Sequence, residues 1–236
     1  MRLKQTYVGL VRALRAVLRA CGLLRVLDAW ARRSRTGRWV RSLLAIYDVH
    51  DLVALDTPWW TFDAVDRVAE HLAARPGATV FEWGSGASTA WLSRRAGSVV
   101  SIEHDAGWAV QVRDLVGPAA DVRTVEPVEA TDGGGTPSAK PGFEDLDFTA
   151  YVHAVDDQPH DLDLIVIDGR AREACLARAC AHLAEDGLLV LDNVDRRRYR
   201  DAIAAEPGME VLWTRGLTPS LPYPTRTALL RRARRA

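Results

Sequence analysis

Two short segments carry residues whose types and spacing could do chemistry. Residues 166–175, VIDGRAREAC, end an apolar run in Asp168 and set Arg170 and Arg172 just beyond it. Residues 189–199, LVLDNVDRRRY, end another apolar run in Asp192-Asn193. With the two runs as parallel strands, Asp168, Asp192 and Asn193 lie past their C-terminal ends, where ligands gather in open α/β sheets. Three oxygen-bearing side chains meeting there could hold a hard cation such as Mg²⁺. The plainer alternative is local, with Asp192-Asn193 capping the next turn. Arg170 and Arg172 stay protonated, so they are poor bases. They are good clamps for an anionic or hydroxyl-rich ligand, or partners for an acidic surface.

A third segment points to a second ligand. Residues 78–105 read ATVFEWGSGASTAWLSRRAGSVVSIEHD. The order is a strand ending in Glu82, a turn through Gly84, Ser85 and Gly86, a helix, and a strand ending in Glu103 and His104. The glycines let backbone amides face a ligand at the next helix's N-terminus. Glu103 can accept hydrogen bonds from two ribose hydroxyls. His104 could border that ligand or act as a base, against the simpler role of a bonded strand-end histidine. A dinucleotide fingerprint fails at Thr89, no GxxxxGK[ST] is present, and Lys4 and Lys140 are the only lysines. A small nucleoside ligand without a pyrophosphate fits better.

VFEWGSGAS resembles the [ED]xGxGxG motif of class I S-adenosylmethionine-dependent methyltransferases, matching at Glu82, Gly84 and Gly86, with Ala87 at the last glycine. The resemblance implies S-adenosylmethionine as cofactor, with Glu103 on its ribose and the backbone of Glu82–Gly86 against its methionine part. Glu129 or Ala130 would lie near adenine. Asp168 with Asp192-Asn193 resembles the metal site of the catechol and caffeoyl-CoA O-methyltransferase branch, which implies Mg²⁺ on those three residues. Arginines stand where that branch commonly has a lysine. DGRxRxxC with DNxDRRRY instead resembles a bacterial branch linked to glycan and secondary-metabolite tailoring. The implied activity is methylation of a hydroxyl on a small molecule or glycan, with Asp168 at its centre, directly or through metal or water. The resemblance covers most of residues 60–231 and not 1–45. Other readings are a noncatalytic nucleotide-binding or scaffold domain attached by its basic arm, and an NAD(P)-dependent oxidoreductase, which lacks a Tyr-x-x-x-Lys pair.

The elements that must position these residues follow from the pattern of apolar runs. Strands are expected at 79–82, 98–103, 121–126, 162–167, 187–191, 209–214 and 225–231. Helices are expected at 62–72, 87–95, 106–116, 149–156, 171–184 and 196–205. The runs at 164–167 and 188–191 suit strands buried on both faces. The fold class is therefore α/β: a Rossmann-like, mostly parallel seven-stranded sheet flanked by helices. It occupies residues 60–236, with a loop at 131–147, and follows an N-terminal helical arm and connector over 1–59. Trp59 and Trp60 could wall a pocket, with core packing the stronger default, and Trp83 and Trp91 pack near the first helix.

A formal net charge of zero hides a division. Residues 1–47 hold eleven Arg or Lys and one acid, whereas 48–230 hold sixteen basic and thirty acidic residues. Leu10, Leu14, Val17 and Leu18 recur at helical spacing with Arg12, Arg15 and Arg19 largely on another side. Such an arm can touch anionic membrane peripherally, pack on its own domain, or join a homodimer through residues 1–47. Its arginines interrupt any spanning run, and no cleavage pattern follows a signal-like core, so a cytoplasmic chain is expected. The acidic body argues against nucleic acid as a partner. Cys21, Cys175 and Cys180 are read as reduced thiols without zinc spacing.

Overall fold

The structure, a computed structural model, describes residues 2–46, 48–131 and 134–233; Met1, Tyr47, Asp132, Gly133, Arg234, Arg235 and Ala236 lie outside the described residues. The arm folds into helices α1 (Arg2–Ala20), α2 (Leu23–Arg33), α3 (Arg35–Ser42) and α4 (Val49–Ala54). Helix α5 (Phe62–Ala73) leads into β1 (Thr79–Trp83), α6 (Ala87–Ser93), β2 (Ser98–Glu103), α7 (Ala106–Arg113) and β3 (Ala120–Thr124). A small ribbon of β4 (Val128–Glu129) and β5 (Leu146–Asp147) precedes α8 (Thr149–His153). Then come β6 (Leu162–Ile167), α9 (Arg172–His182), β7 (Leu183–Asp192), α10 (Arg197–Ala204), β8 (Met209–Gly216) and β9 (Thr225–Arg232).

Seven strands form one sheet in the order β3-β2-β1-β6-β7-β9-β8. The first five are parallel, and β9 runs antiparallel to both β7 and β8. Strand order reverses between β1 and β6, which opens a crevice at their C-terminal ends. This is the Rossmann-like sheet expected from the sequence.

Side chains alternate across the central strands and build a core on each face. Phe81, Trp83, Ile165 and Ile167 pack with α8 and α9 on one side. Val80, Leu164 and Val166 pack with Trp60, Val65, Val68, Trp91 and Leu92 on the other. Each such fully buried side chain contributes about 1.5–3 kcal/mol relative to exposure. Trp60 is thus core, and its ring meets Trp91 edge-on. Trp83 donates to the Tyr151 carbonyl at 2.9 Å, which fixes the β1 end against α8.

Several boundaries differ from expectation. The connector that precedes the domain holds a 3₁₀ turn at Leu43–Ala45 and then α4, which Asp48 caps by accepting from the Asp51 N–H at 3.1 Å. Strand β7 starts four residues early, at Leu183. The 131–147 loop contributes β5, whose two residues are too short to show a period in sequence.

The arm is bonded into the domain. Within the arm, Arg41 of α3 forks onto buried Asp51 of α4 with two bonds of 2.8 Å, and Arg15 of α1 reaches Asp51 at 2.9 Å; bonds into the domain come from α3. Trp39 donates to the Leu221 carbonyl at 2.9 Å, and the Ser220 N–H donates to Ser42 at 2.9 Å. A second face of the arm stays exposed, with Leu10, Leu14 and Val17 on α1 and Leu23, Val26 and Trp30 on α2. Among the described residues, no helix is long and apolar enough to cross a membrane.

Candidate active site

The C-terminal ends of β1 and β6 meet through two glycines. Gly84 has φ +96°, and a Cβ there would stand 2.7 Å from Gly169 Cα. A Cβ on Gly169 would collide with Tyr151 Oη. The backbones therefore touch where any side chain would force them apart. Gly86 differs: its φ of 171° is ordinary extended backbone, and a Cβ there meets nothing within 4 Å. The second motif glycine is required by no protein contact, and the space beside it is open to a ligand.

Glu82 lies beneath this turn rather than in it. It is fully buried and accepts from Ser101 at 2.7 Å as well as from the hydroxyls of Ser88 and Thr89. Burial pushes its carboxyl up to about 7, against the lowering by those three hydroxyls. Its position ties β1, β2 and α6 together, so it shapes the loop without lining the cavity.

Glu103, at the tip of β2, is buried and does line the cavity. One oxygen accepts from the Ser85 N–H and hydroxyl at 3.0 and 3.1 Å; the other accepts from the N–H groups of His104 and Asp105 at 2.8 and 3.0 Å. His104 Nδ1 stands 2.5 Å from the same carboxylate. Burial pushes the Glu103 carboxyl up, but His104 and the backbone donors outweigh it and hold it below its usual value. The His104 ring packs edge-on to Phe143, with centroids 5.5 Å apart, and also neighbours Phe148 and Tyr151. That setting is an aromatic wall on the Glu103 side.

On the other side, Asp168 follows β6 and Arg172 opens α9. Ala171 between them has φ 46°, a left-handed conformation that costs a non-glycine residue about 1 kcal/mol or more. The turn brings Arg172 back over the loop. Its guanidinium donates to the Gly169 carbonyl at 3.0 Å, the Asp168 carbonyl and Oδ1 at 2.8 Å each, and the Asp192 carbonyl at 2.7 Å. Burial raises the Asp168 carboxyl, and Arg172 pulls it partly back. Asp192 is raised too, by burial and by the nearby Asp168 charge.

This arrangement does not fit a metal. Asp192 Oδ1 accepts from Thr227 of β9 at 2.6 Å, and its Oδ2 accepts from the Asn193 amide. Asp168 Oδ1 is taken by Arg172. The expected oxygen cage of Asp168, Asp192 and Asn193 is thus replaced by a guanidinium bridging two strand ends. Among the described residues no group of three or more His, Cys, Asp or Glu could hold a metal ion.

One cavity of about 840 Å³ joins both sides. Gly84, Ser85, Gly86, Glu103, His104 and Phe143 line one side; Asp168, Arg170, Arg172, Asp192, Asn193 and Tyr199 line the other, and the two meet where Arg170 lies over Phe143. That is within the usual size of a small-molecule pocket. Glu129 is not brought here: it is exposed on the β4–β5 ribbon, which carries it away from the end of β3. The sequence reading also missed walls supplied from far along the chain. Val49 and Leu52 come from the arm, Trp108 from α7, and Leu221 and Tyr223 from the β8–β9 connection. Trp59 lines the cavity as well, while Trp60 does not.

No family model matches the chain, and no curated protein matches it. Solved structures do. The chain is similar to cofactor-bound Rv0187 from MTB, with a TM-score of 0.55 and 18% identity over 81% of this chain and 90% of that one. An O-methyltransferase from Bacillus cereus in complex with SAH gives 0.54 and 19%, over 80% and 89% of the two chains. The O-methyltransferase TomG from Streptomyces achromogenes, involved in tomaymycin synthesis and bound to SAM, gives 0.52 and 15%, over 82% and 90%. At such identities the likeness speaks for the fold: this chain has the Rossmann-like fold of class I S-adenosylmethionine-dependent methyltransferases.

Proposed function

We propose that the protein is an S-adenosylmethionine-dependent O-methyltransferase acting on a hydroxyl of a small molecule or glycan. The observation that carries this reading is the single cavity joining the Gly84–Gly86 turn and Glu103 to Asp168. The residues at the first end fit the donor, because the space beside Gly86 is open and Glu103 faces it from the strand tip. Glu103 would hold the ribose, the backbone from Gly84 to Gly86 the methionine part, and His104 with Phe143 the flank. When bound, S-adenosylmethionine supplies the activated methyl group.

The remaining chemistry is that of the chain's own side chains. Asp168 takes the acceptor's hydroxyl proton, directly or through water, and its raised pKa makes it a better proton acceptor than an ordinary aspartate. Its side chain keeps 20% exposure, enough to meet a ligand in the cavity. Arg172 fixes the carboxylate's orientation and supplies the positive charge that a cation would otherwise bring. Activity therefore survives chelation in this reading. Two likenesses to proteins described as O-methyltransferases support oxygen as the acceptor atom.

Isothermal titration with S-adenosylhomocysteine, followed by a transfer screen over phenols, sugars and lipid-linked acceptors, tests the proposal. A folded protein that binds neither the donor nor its demethylated product refutes it. For the arm, we carry forward a contact with anionic lipid or with a second copy through the exposed faces of α1 and α2. Flotation with anionic vesicles reports the first, and light scattering the second.

A further inference from the structure

The cavity's charges are not balanced group by group. Each carboxylate on its wall already has a partner within the protein. Asp168 is paired with Arg172, Glu173 with Arg198 at 2.9 Å, and Asp48 with Arg15. Glu103 is held by His104 and backbone donors, and Asp105 accepts from the Trp108 N–H at 2.9 Å. Asp192 accepts from Thr227 and Asn193, and Asp195 accepts from the Arg226 N–H at 2.8 Å.

Two guanidiniums on the same wall differ. Arg170 makes only a 3.5 Å bond to the neighbouring Gly169 carbonyl, and its Nε is buried with no hydrogen-bond partner. It lies over the Phe143 ring, 5.0 Å from the centroid. Arg196 reaches the Tyr199 hydroxyl at 3.3 Å and stands over that ring at 5.7 Å. Neither makes a carboxylate ion pair among the described residues. A guanidinium carries five N–H donors in a planar fork that matches carboxylate or phosphate oxygens. An aromatic ring beneath it holds the plane without consuming those donors.

We infer that the acceptor carries an anionic group, a carboxylate or phosphate, which Arg170 grips from the Asp168 loop with Arg196 as second contact. This deepens the proposed O-methyltransferase reading and rests on it. A neutral hydroxyl compound would leave the Arg170 fork without a carboxylate or phosphate oxygen to bond and its buried Nε without a partner. An anion at Arg170 would also place its bearer beside Asp168, two residues away along the same loop.

The test uses the full chain saturated with S-adenosylhomocysteine, whose binding is measured first and reports on the donor reading separately. Two matched pairs then act as probes: 3,4-dihydroxybenzoate against its methyl ester, and glucose 6-phosphate against glucose. Binding is followed by titration calorimetry. The inference expects the charged member of at least one pair to bind ten-fold or more tighter than its neutral twin, and the pair that shows it tells carboxylate from phosphate. Arg170→Gln is expected to abolish that preference, and Arg196→Gln to reduce it, with each variant first shown to be saturated with S-adenosylhomocysteine and the melting temperature unchanged in both. Arg170→Lys, which keeps the charge but not the fork, is expected to retain part. Equal binding within both pairs, no binding of either charged probe, or a preference that survives Arg170→Gln would each overturn it.

Discussion

Arg172 Nη2 sits 2.8 Å from both the carbonyl oxygen and Oδ1 of Asp168, so one nitrogen holds the backbone and the side chain of the same residue. The i,i+4 spacing would be unremarkable within a helix, but Asp168 lies before the helix and Ala171 turns the chain between them. The pair therefore fixes where the β6 loop ends and where its carboxylate points.

Breaking that pair should separate two effects. Asp168→Asn should lower methyl transfer by about 10²–10⁴-fold, the usual worth of a positioned base, while leaving S-adenosylhomocysteine binding intact. Arg172→Ala leaves the Asp168 charge partly buried without its partner, and should cost about 3–5 kcal/mol in chemical denaturation. An Asp168→Asn protein that still turns over at the wild-type rate would remove Asp168 from the chemistry.

Arg172 also sets a pH limb. Its charge pulls the Asp168 carboxyl down while burial pushes it up, and burial wins. The rate should therefore rise with pH through a limb above the ordinary carboxylate range. Arg172→Gln should move that limb to still higher pH, because the lowering charge is gone. A pH–rate profile unmoved by this substitution would contradict the coupling.

Glu82 makes stability pH-dependent with a defined sign. Its carboxyl, ordinarily at 4.5, is raised to about 7 in the folded protein. The folded state then binds the proton more tightly than the unfolded chain, so its contribution is full below about 4.5 and is lost as pH rises through about 7. The loss amounts to roughly 3 kcal/mol by the free energy of a pKa shift. Glu82→Gln, neutral at every pH, should flatten the melting temperature between pH 4.5 and 8. Parallel curves for the two proteins would refute this.

The three loop glycines should respond differently. Gly84→Ala and Gly169→Ala bring a Cβ into backbone or into Tyr151 Oη and should lower stability markedly. Gly86→Ala should fold with nearly the wild-type melting temperature yet bind S-adenosylhomocysteine more weakly, since only ligand space is filled. Calorimetry and thermal melts on the three variants check the ordering.

Glu103→Ala should weaken donor binding by about ten-fold or more, as loss of a charge-assisted hydrogen bond implies. The carboxylate already accepts four bonds, so ribose hydroxyls must displace one of them, and the Ser85 hydroxyl is the donor free to turn away. Ser85→Ala should accordingly bind the donor at least as tightly as wild type. Titration calorimetry on both variants decides it.

The sheet was legible because its central strands are buried on both faces and so read as unbroken apolar runs, as at Leu164–Ile167 and Leu188–Leu191. The strand-end acid Asp168 was legible for the same reason, as the first polar residue after such a run, and Glu103 as the acid that ends the SVVSIE strand. Partner choice was not. Nothing local says that Arg172 would turn back onto Asp168 while Arg170 stays in the cavity, because the left-handed Ala171 decides it. Glu129 followed a short ribbon paired to residues 146–147, a contact with no periodic trace. The Leu221 and Val49 walls come from opposite ends of the chain, which only tertiary packing brings together.

The late strand β9 has a consequence for how the molecule is made. It lies between β7 and β8, and its Thr227 holds Asp192. During synthesis β7 emerges with one edge unpaired, β8 follows without a neighbour, and only the arrival of β9 joins them. A nascent chain halted before Thr225 would therefore present two open sheet edges, the usual template for wrong pairing between molecules. The same strand that covers the β7 edge also completes the support of Asp192, so the pocket is finished only when that edge is closed.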